Sequence, residues 1–188
     1  MAQIILASQS PRRKQLLEAA EIDFDIQVAD VDETNPQGME AINVPEYLAT
    51  KKAEVISTIN PEAIIIAADT IVVIDNEILG KPKDDVDALR ILKKLSGKKH
   101  EVITGVCMKK GDRQILFSVV TEVYFRALTD AQLQHYIKRY QPMDKAGAYA
   151  IQEWIGMVGI EKINGDYYNV MGLPIGEVVK KLAVLTKA

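Results

Sequence analysis

The sequence carries one cysteine, Cys107, two histidines and only 6% aromatic residues among its 188. A lone cysteine cannot close an intrachain disulfide, and it excludes a Cys-rich zinc site. His100 and His135 stand apart from one another, and no Ser-His-Asp ordering runs along the chain. No apolar run approaches the roughly 20 residues that a bilayer requires; the longest spans only residues 63–68. The start has no basic stretch and a single short apolar segment, Ile4-Ile5-Leu6-Ala7, so no signal peptide is expected. Positive charge is not in excess. The 23 Lys and Arg residues face 26 Asp and Glu, a formal net charge of −3. That excludes the strongly basic footprint of a nonspecific nucleic-acid binder, although not a local basic pocket. Internal repeats, low-complexity tracts and long Gly/Ser/Pro linkers are absent as well, which predicts one folding unit over residues 1–188. These absences lead to the expectation of a cytoplasmic chain that engages neither membrane nor nucleic acid.

What is present is a core-forming balance of 48% hydrophobic and 26% charged residues, arranged in alternating strand and helix patterns. Residues 3–7 read as a short buried strand, and 11–20 as a helix with Ser10 at the N-cap and Pro11 at its first position. Residues 24–29 alternate like a strand. Residues 45–59 are predicted helical, with Leu48, Val55, Ile56 and Ile59 on one face and Asn60-Pro61 as the stop. Residues 63–74 form a β-branched apolar run, the signature of a central strand buried on both faces. Residues 84–95 return to helical period through Val86, Leu89, Leu92 and Leu95, with Gly97 as terminator. Hairpin signals follow. Residues 101–109 and 114–126 flank Lys110-Gly111-Asp112-Arg113, and Asn164-Gly165 separates 161–163 from 167–170. Between them Thr129 and Gln132 spell a capping box for a helix through Tyr140, and Pro174 opens a last helix carrying Val178, Val179, Leu182 and Leu185. Crossovers mixed with hairpins predict an α/β (mixed α+β) domain on a mixed sheet.

Several residues resist a purely structural reading. In Ser8-Gln9-Ser10-Pro11-Arg12-Arg13 two arginines sit beside the positive end of a helix dipole, where cations are disfavoured by roughly 0.3–1 kcal/mol. Free backbone N–H groups, two hydroxyls and two guanidinium forks there make a polyphosphate cradle; the alternative is a solvated pair. On the cradle reading both arginines serve a ligand far more than they serve folding. No P-loop or dinucleotide fingerprint is present. Asp69 interrupts the apolar strand, where a carboxylate is costly unless it is paired, protonated or metal-bound. It is either a general base or a strand-end residue bonded to a loop, and Thr70 beside it points to the opposite face of a regular strand. Asp30-Val31-Asp32-Glu33 adds a second acidic cluster, either solvated or part of a shell for a hard divalent cation. Lys52 falls on the apolar face of its helix, either snorkelling or reaching for a phosphate. Lys81 lies in Gly80-Lys81-Pro82, held extended beside a residue that admits close ligand approach.

Taken in order, these motifs closely resemble the Maf family of nucleotide pyrophosphatases, historically associated with septum formation. The similarity runs through Ala7-Ser8-Gln9-Ser10-Pro11-Arg12-Arg13, Asp32-Glu33-Thr34, Lys52-Ala53, Ala68-Asp69-Thr70 and Gly80-Lys81-Pro82. It continues in His100-Glu101-Val102-Ile103-Thr104-Gly105-Val106, in the segment from Asp144-Lys145 to Ile151-Gln152, and in Asn164-Gly165 and Gly172-Leu173-Pro174. The resemblance implies a two-lobed fold like that of inosine triphosphate pyrophosphatases, with flanking helices, a central cleft and often a homodimer. It also implies metal-dependent hydrolysis of nucleoside triphosphates to monophosphate and pyrophosphate, with magnesium or manganese as cofactor. Asp69 matches the proton acceptor; the charge neutralisation and anchored base that such hydrolysis requires assign Glu33 and Asp69 to the metal shell and Arg12, Arg13, Lys52 and Lys81 to the triphosphate. Arg12, Thr70 and Gln152 match positions that separate the branches by substrate, and these residue types resemble the dTTP and UTP branch rather than the 7-methyl-GTP branch. Gln152 offers a donor and an acceptor, which suits the imide edge shared by uracil and thymine. Glu153-Trp154 departs from the glycine that many relatives carry after this glutamine. A nucleotide-sensing regulator of cell division and a pyrophosphatase for modified nucleotides remain the alternatives.

Overall fold

The computed structural model describes residues 3–34 and 36–186. Its strands form one mixed sheet in the order β2-β1-β3-β5-β6-β7, with β4 paired to β3. In the chain these are β1 (Ile4–Leu6), β2 (Asp25–Ile26), β3 (Ile64–Ile74), β4 (Glu77–Leu79), β5 (Lys99–Lys110), β6 (Arg113–Phe125) and β7 (Ile160–Asn164). The helices are α1 (Pro11–Ala19), α2 (Val44–Ile59), α3 (Asp85–Leu95), α4 (Asp130–Tyr140), α5 (Trp154–Gly159), α6 (Tyr167–Val170) and α7 (Ile175–Thr186). The expected mixed α/β class is what the chain adopts, with β3 as a central strand.

The backbone separates into two compact units. The first takes the described residues of Met1–Asp69, Thr104–Val119 and Gly172–Ala188. Here β1 pairs in parallel with β2 and with the first part of β3, Ile4 opposite Ile64 and Leu6 opposite Ile66. Helix α2 covers these strands with small residues. Ala49, Ala53 and Ile56 meet Ile5, Ala7, Ile65, Ala67 and Cys107 in one buried cluster. The buried face of α2 is therefore Leu48, Ala49, Lys52, Ala53 and Ile56, while Val55 and Ile59 are exposed, contrary to the predicted stripe. Small residues decide the matter because they let the helix lie close to the strands. Gly105 carries this furthest: a β-carbon there would stand 2.3 Å from the Glu46 nitrogen at the start of α2.

The second unit takes Thr70–Ile103 and Val120–Met171. The far part of β3 turns through Asp75 and Asn76, both at positive φ (51° and 62°), into antiparallel β4. Positive φ at both central residues is the tight hairpin geometry that follows the twist of the strands. Helix α3 obeys its charge pattern. Asp84 caps it by accepting from the Asp87 N–H at 2.8 Å, acidic residues fill its first turn, and Lys93 and Lys94 fill its last. Its buried positions are Ala88, Ile91, Leu92 and Leu95, with Val86 exposed. Gly97 follows at φ +73°, as expected of a terminator, and the Thr129–Gln132 capping box forms at α4. These helices share a core with Val102, Val123, Phe125 and Tyr149.

One predicted hairpin is not there. Asn164-Gly165 ends β7, but residues 167–170 coil into α6 rather than returning as a strand. Asp166 accepts from the Tyr168 N–H at 2.8 Å and so caps the helix, while the Thr121 hydroxyl bonds both the Asp166 N–H and its carbonyl. The buried Asn169 amide then donates to the Val102 carbonyl at 3.1 Å and to the Thr121 hydroxyl at 3.0 Å. Capping chemistry and a buried amide thus override the two-residue turn signal.

The second core also holds a histidine. His100 is 1% exposed, its Nε2 lies 2.7 Å from the Tyr149 hydroxyl, and its ring meets Phe125 edge-on at 5.1 Å. Burial pushes the imidazole down to about 3 and the Tyr149 phenol upward. Between pH 3 and 6.5 the unfolded chain therefore binds a proton that the folded chain refuses, so the stability held above pH 6.5 drains away on acidification. Denaturant titrations should find about 2 kcal/mol more stability lost between pH 7 and pH 5 by the natural chain than by a folded His100→Phe variant. Equal losses would place the titrating group elsewhere.

Candidate active site

In the first unit the loop leaving β1 turns at Ser8 into α1, with Ser10 extended at the N-cap and Pro11 at the first helical position. The Ser10 N–H donates to the Ser8 hydroxyl oxygen at 3.2 Å. The two arginines that follow differ sharply. Arg12 is half-buried, whereas Arg13 turns inward and is buried. Arg13 Nε donates to the Gly172 carbonyl at 2.8 Å, and one terminal nitrogen donates to the Ser8 hydroxyl at 3.1 Å. Burial pulls the guanidinium pKa down, and the negative charge of Asp69 opposes that shift. Arg13 is thus bonded into the interior and serves the fold as well as any ligand, whereas the expectation placed both arginines chiefly at a ligand's disposal.

Below this loop three charges meet. Lys52 projects from the buried face of α2, and its Nζ lies 2.7 Å from Asp69 Oδ1 and 2.7 Å from Glu33 Oε1. The Lys52 side chain is 9% exposed, Asp69 14% and Glu33 50%, so the lysine lies deepest and the glutamate reaches solvent. An isolated ammonium on an apolar helix face would be costly; two carboxylates offset that cost. The same ammonium accounts for Asp69 inside an otherwise apolar strand. The acidic loop is fastened beside it. Lys51 Nζ donates to the Asp32 carbonyl at 2.8 Å, and the Asp32 carboxylate accepts from the Thr34 side chain and from the Thr34 N–H at 2.9 Å, bonds that lower its pKa. Consecutive lysines on α2 thus hold consecutive residues of the loop.

Glu33 and Asp69 supply hard oxygen donors that converge on one positive centre. Magnesium typically takes one or two carboxylates and completes its shell with water and phosphate oxygens, so this donor pair fits a divalent cation. Among the described residues no group of three or more His, Cys, Asp or Glu gathers, here or elsewhere, so the protein side of such a shell is this pair of carboxylates.

The second unit carries the remaining candidates. Thr70 is half-buried and follows Asp69 in β3. Lys81 is exposed between Gly80 and a buried Pro82. The Gly80 carbonyl accepts from the Gly147 N–H at 3.1 Å, which ties the Lys81 segment to the segment that leads into Gln152. Gly147 has φ +70°, and a β-carbon there would meet Val72 at 2.8 Å, so the tie demands glycine. Gln152 is exposed in a turn that the Glu153 N–H closes onto the Ala150 carbonyl at 3.1 Å. Residue typing alone misses three neighbours of this turn. Tyr136, Lys145 and Glu153 form a polar group beneath it, with Lys145 Nζ 2.7 Å from Asp144 Oδ1 and 3.5 Å from Glu153 Oε1. Lys145 carried a signal through its place in the Asp144–Gln152 stretch and Glu153 as a departure after Gln152, whereas Tyr136 carried none. Trp154 meets His135 edge-on at 5.1 Å.

Against known families, residues 3–185 match that of the Maf-like proteins. The chain belongs to the Maf family. Over 184 residues it is 48% identical to a protein of Phocaeicola vulgatus, covering 97% of this chain and 95% of that one. It is 49% identical over 179 residues to a protein of Cytophaga hutchinsonii, covering 95% and 82% of the two chains. A protein of Christiangramia forsetii is 44% identical over 181 residues, covering 96% and 92%. All three relatives carry the name dTTP/UTP pyrophosphatase. In this Maf-family chain the paired arginines separate experimentally. Arg13→Ala removes the bonds to the Ser8 hydroxyl and the Gly172 carbonyl and should cost about 3 kcal/mol, given roughly 1.5–3 kcal/mol for each hydrogen bond to a charged group. Arg12→Ala, beside the positive helix end, should stay within about 1 kcal/mol of the natural chain. Urea unfolding of both variants measures the difference.

Proposed function

We propose that this chain hydrolyses nucleoside triphosphates, dTTP and UTP ahead of others, to nucleoside monophosphate and pyrophosphate. The observation that carries this reading is the meeting of Asp69 and Glu33 on the Lys52 ammonium, in a chain whose near full-length relatives bear the name dTTP/UTP pyrophosphatase. Residues 1–188 act as one nucleotide-hydrolysing domain.

In the proposed reaction a water oxygen attacks the α-phosphorus and the bond to the oxygen bridging α and β breaks. Pyrophosphate leaves, and the proton lost by the water passes to the Asp69 carboxylate. Lys52 fixes the orientation of that carboxylate from inside the helix face, so Asp69 need not reorganise when the water arrives. Arg12, Arg13, Lys52 and Lys81 supply the positive charge that polyphosphate chemistry requires; catalysis of this class is mainly positioning and electrostatics. Arg13 does so at a fixed place, since Ser8 and Gly172 hold its fork. Glu33 and Asp69 would hold a divalent cation, magnesium or manganese, which when bound neutralises phosphate charge and acidifies water. Thr70, Gln152 and Arg12 select the base, with the Gln152 amide reading the imide edge. A homodimer in the cytoplasm is part of the same proposal.

Asp69→Asn keeps an oxygen that can accept from Lys52 but cannot take the proton. It should fold, and release of pyrophosphate from dTTP or UTP should drop about 10²–10⁴-fold. Near-normal turnover by the folded variant would remove Asp69 from the mechanism. Chelation with EDTA should abolish turnover and added magnesium or manganese should restore it. Turnover that survives chelation, or a Glu33→Gln variant with an unaltered metal titration, would remove the metal or Glu33 respectively.

A further inference from the structure

We infer that Tyr136, acting with Glu153, is a positioning residue that holds Gln152 for recognition of the base. The inference rests on the base-selecting role proposed above for Gln152. The geometry comes from one buried hydroxyl. Residues 150–153 form a single turn in which the Glu153 N–H donates to the Ala150 carbonyl at 3.1 Å. Tyr136, on α4 and 0% exposed, brings its hydroxyl beneath that turn. The hydroxyl accepts from the Ala150 N–H at 3.1 Å and donates to the Glu153 carboxylate, so it grips the first and last residues of the turn at once. Its ring is fixed in turn by stacking on Tyr140, with centroids 5.0 Å apart. The other Glu153 oxygen lies 3.5 Å from Lys145 Nζ, and that buried ammonium is also held by Asp144.

Within the turn Ile151 points into the core and Gln152 into solvent. Among the described residues no hydrogen bond restrains the Gln152 side chain, so the backbone of the turn sets where its amide stands. An amide that must present a donor and an acceptor to one base edge gains from a rigid mount, since disorder there would be lost again on binding. A glycine after Gln152 could not reach Tyr136 or Lys145. This chain therefore fastens the turn that carries Gln152 with a side chain, Glu153.

The test uses the full chain and two substrates, UTP and 3-methyl-UTP, which share ring and triphosphate but differ in the imide N–H. The natural chain should prefer UTP in kcat/KM. Tyr136→Phe, which removes only the hydroxyl, should lower that preference about 3- to 10-fold, the range of one hydrogen bond, through KM rather than kcat. Gln152→Ala should lower it at least as far, and the double variant no further, because the two act through one contact. Glu153→Ala should reproduce Tyr136→Phe, and Glu153→Gln, which keeps an acceptor, should restore most of the preference. A folded Tyr136→Phe with the natural preference, or losses that multiply in the double variant, would overturn the inference and leave the proposed function standing. Should Tyr136→Phe not fold, equal preferences in Glu153→Ala and the natural chain would overturn it in the same way. A natural chain that releases no pyrophosphate, or cleaves both substrates alike, would overturn the base-reading role and this inference together.

Discussion

The Lys52 ammonium is the contact on which the rest of the first unit depends. It sits on a helix face that the other residues make apolar, and it is balanced there by Asp69 from β3 and Glu33 from the acidic loop. Remove the lysine and a carboxylate is stranded in the middle of a buried strand; remove the carboxylates and an ammonium is stranded under a helix. Each charge is thus the condition for the others, which explains why a costly residue persists in β3 where a valine would pack better. Small residues along α2 and the glycine at position 105 bring the helix near enough for a four-carbon stem to reach the strand.

The two units spend their polar residues differently. In the first, buried charges meet directly: Lys52 with two carboxylates, and Arg13 with a hydroxyl and a carbonyl. In the second, the polar groups mainly fix backbone. Thr121 and Asn169 shape the start and middle of α6, and Tyr136 and Glu153 clamp the turn at Gln152. The boundary between the units falls inside β3, between Asp69 and Thr70, where a strand buried elsewhere along its length becomes half-exposed. The candidate residues Asp69 and Thr70 therefore occupy the one place in that strand where side chains are not consumed by packing.

Much of this was legible from local pattern. The central strand, the capping box at Thr129, the terminator at Gly97 and the inward side of Lys52 all follow from rules that operate within a few residues. What escaped depended on distant partners. Arg13 reads as half of a phosphate cradle or of a solvated pair, and not as an interior residue, because its acceptor, the Gly172 carbonyl, lies 159 positions away. Asn164-Gly165 reads as a hairpin because Thr121 and Val102, which win residues 166–169 for the helix, are invisible to a short window. The hydrophobic stripes of α2 and α3 shifted by a residue or two because alanines and a lysine, not only large apolar residues, form the buried faces. At the candidate site the residue types announced themselves; the company they keep did not. Glu153 read as a departure, and the structure shows what it touches, Tyr136 and Lys145.

The bond from Arg13 to Gly172 has a consequence for how the chain can be divided. Arg13 belongs to the first turn of α1, and its carbonyl partner lies 159 positions further on, in the segment by which the chain re-enters the first unit. Every residue of the second unit lies between these two partners in the chain. A fragment that stops short of Gly172 therefore keeps the whole of the second unit and yet loses an acceptor for a buried guanidinium in the first. The stretch from Gly172 onward is a wall of the Arg13 site, not a dispensable tail.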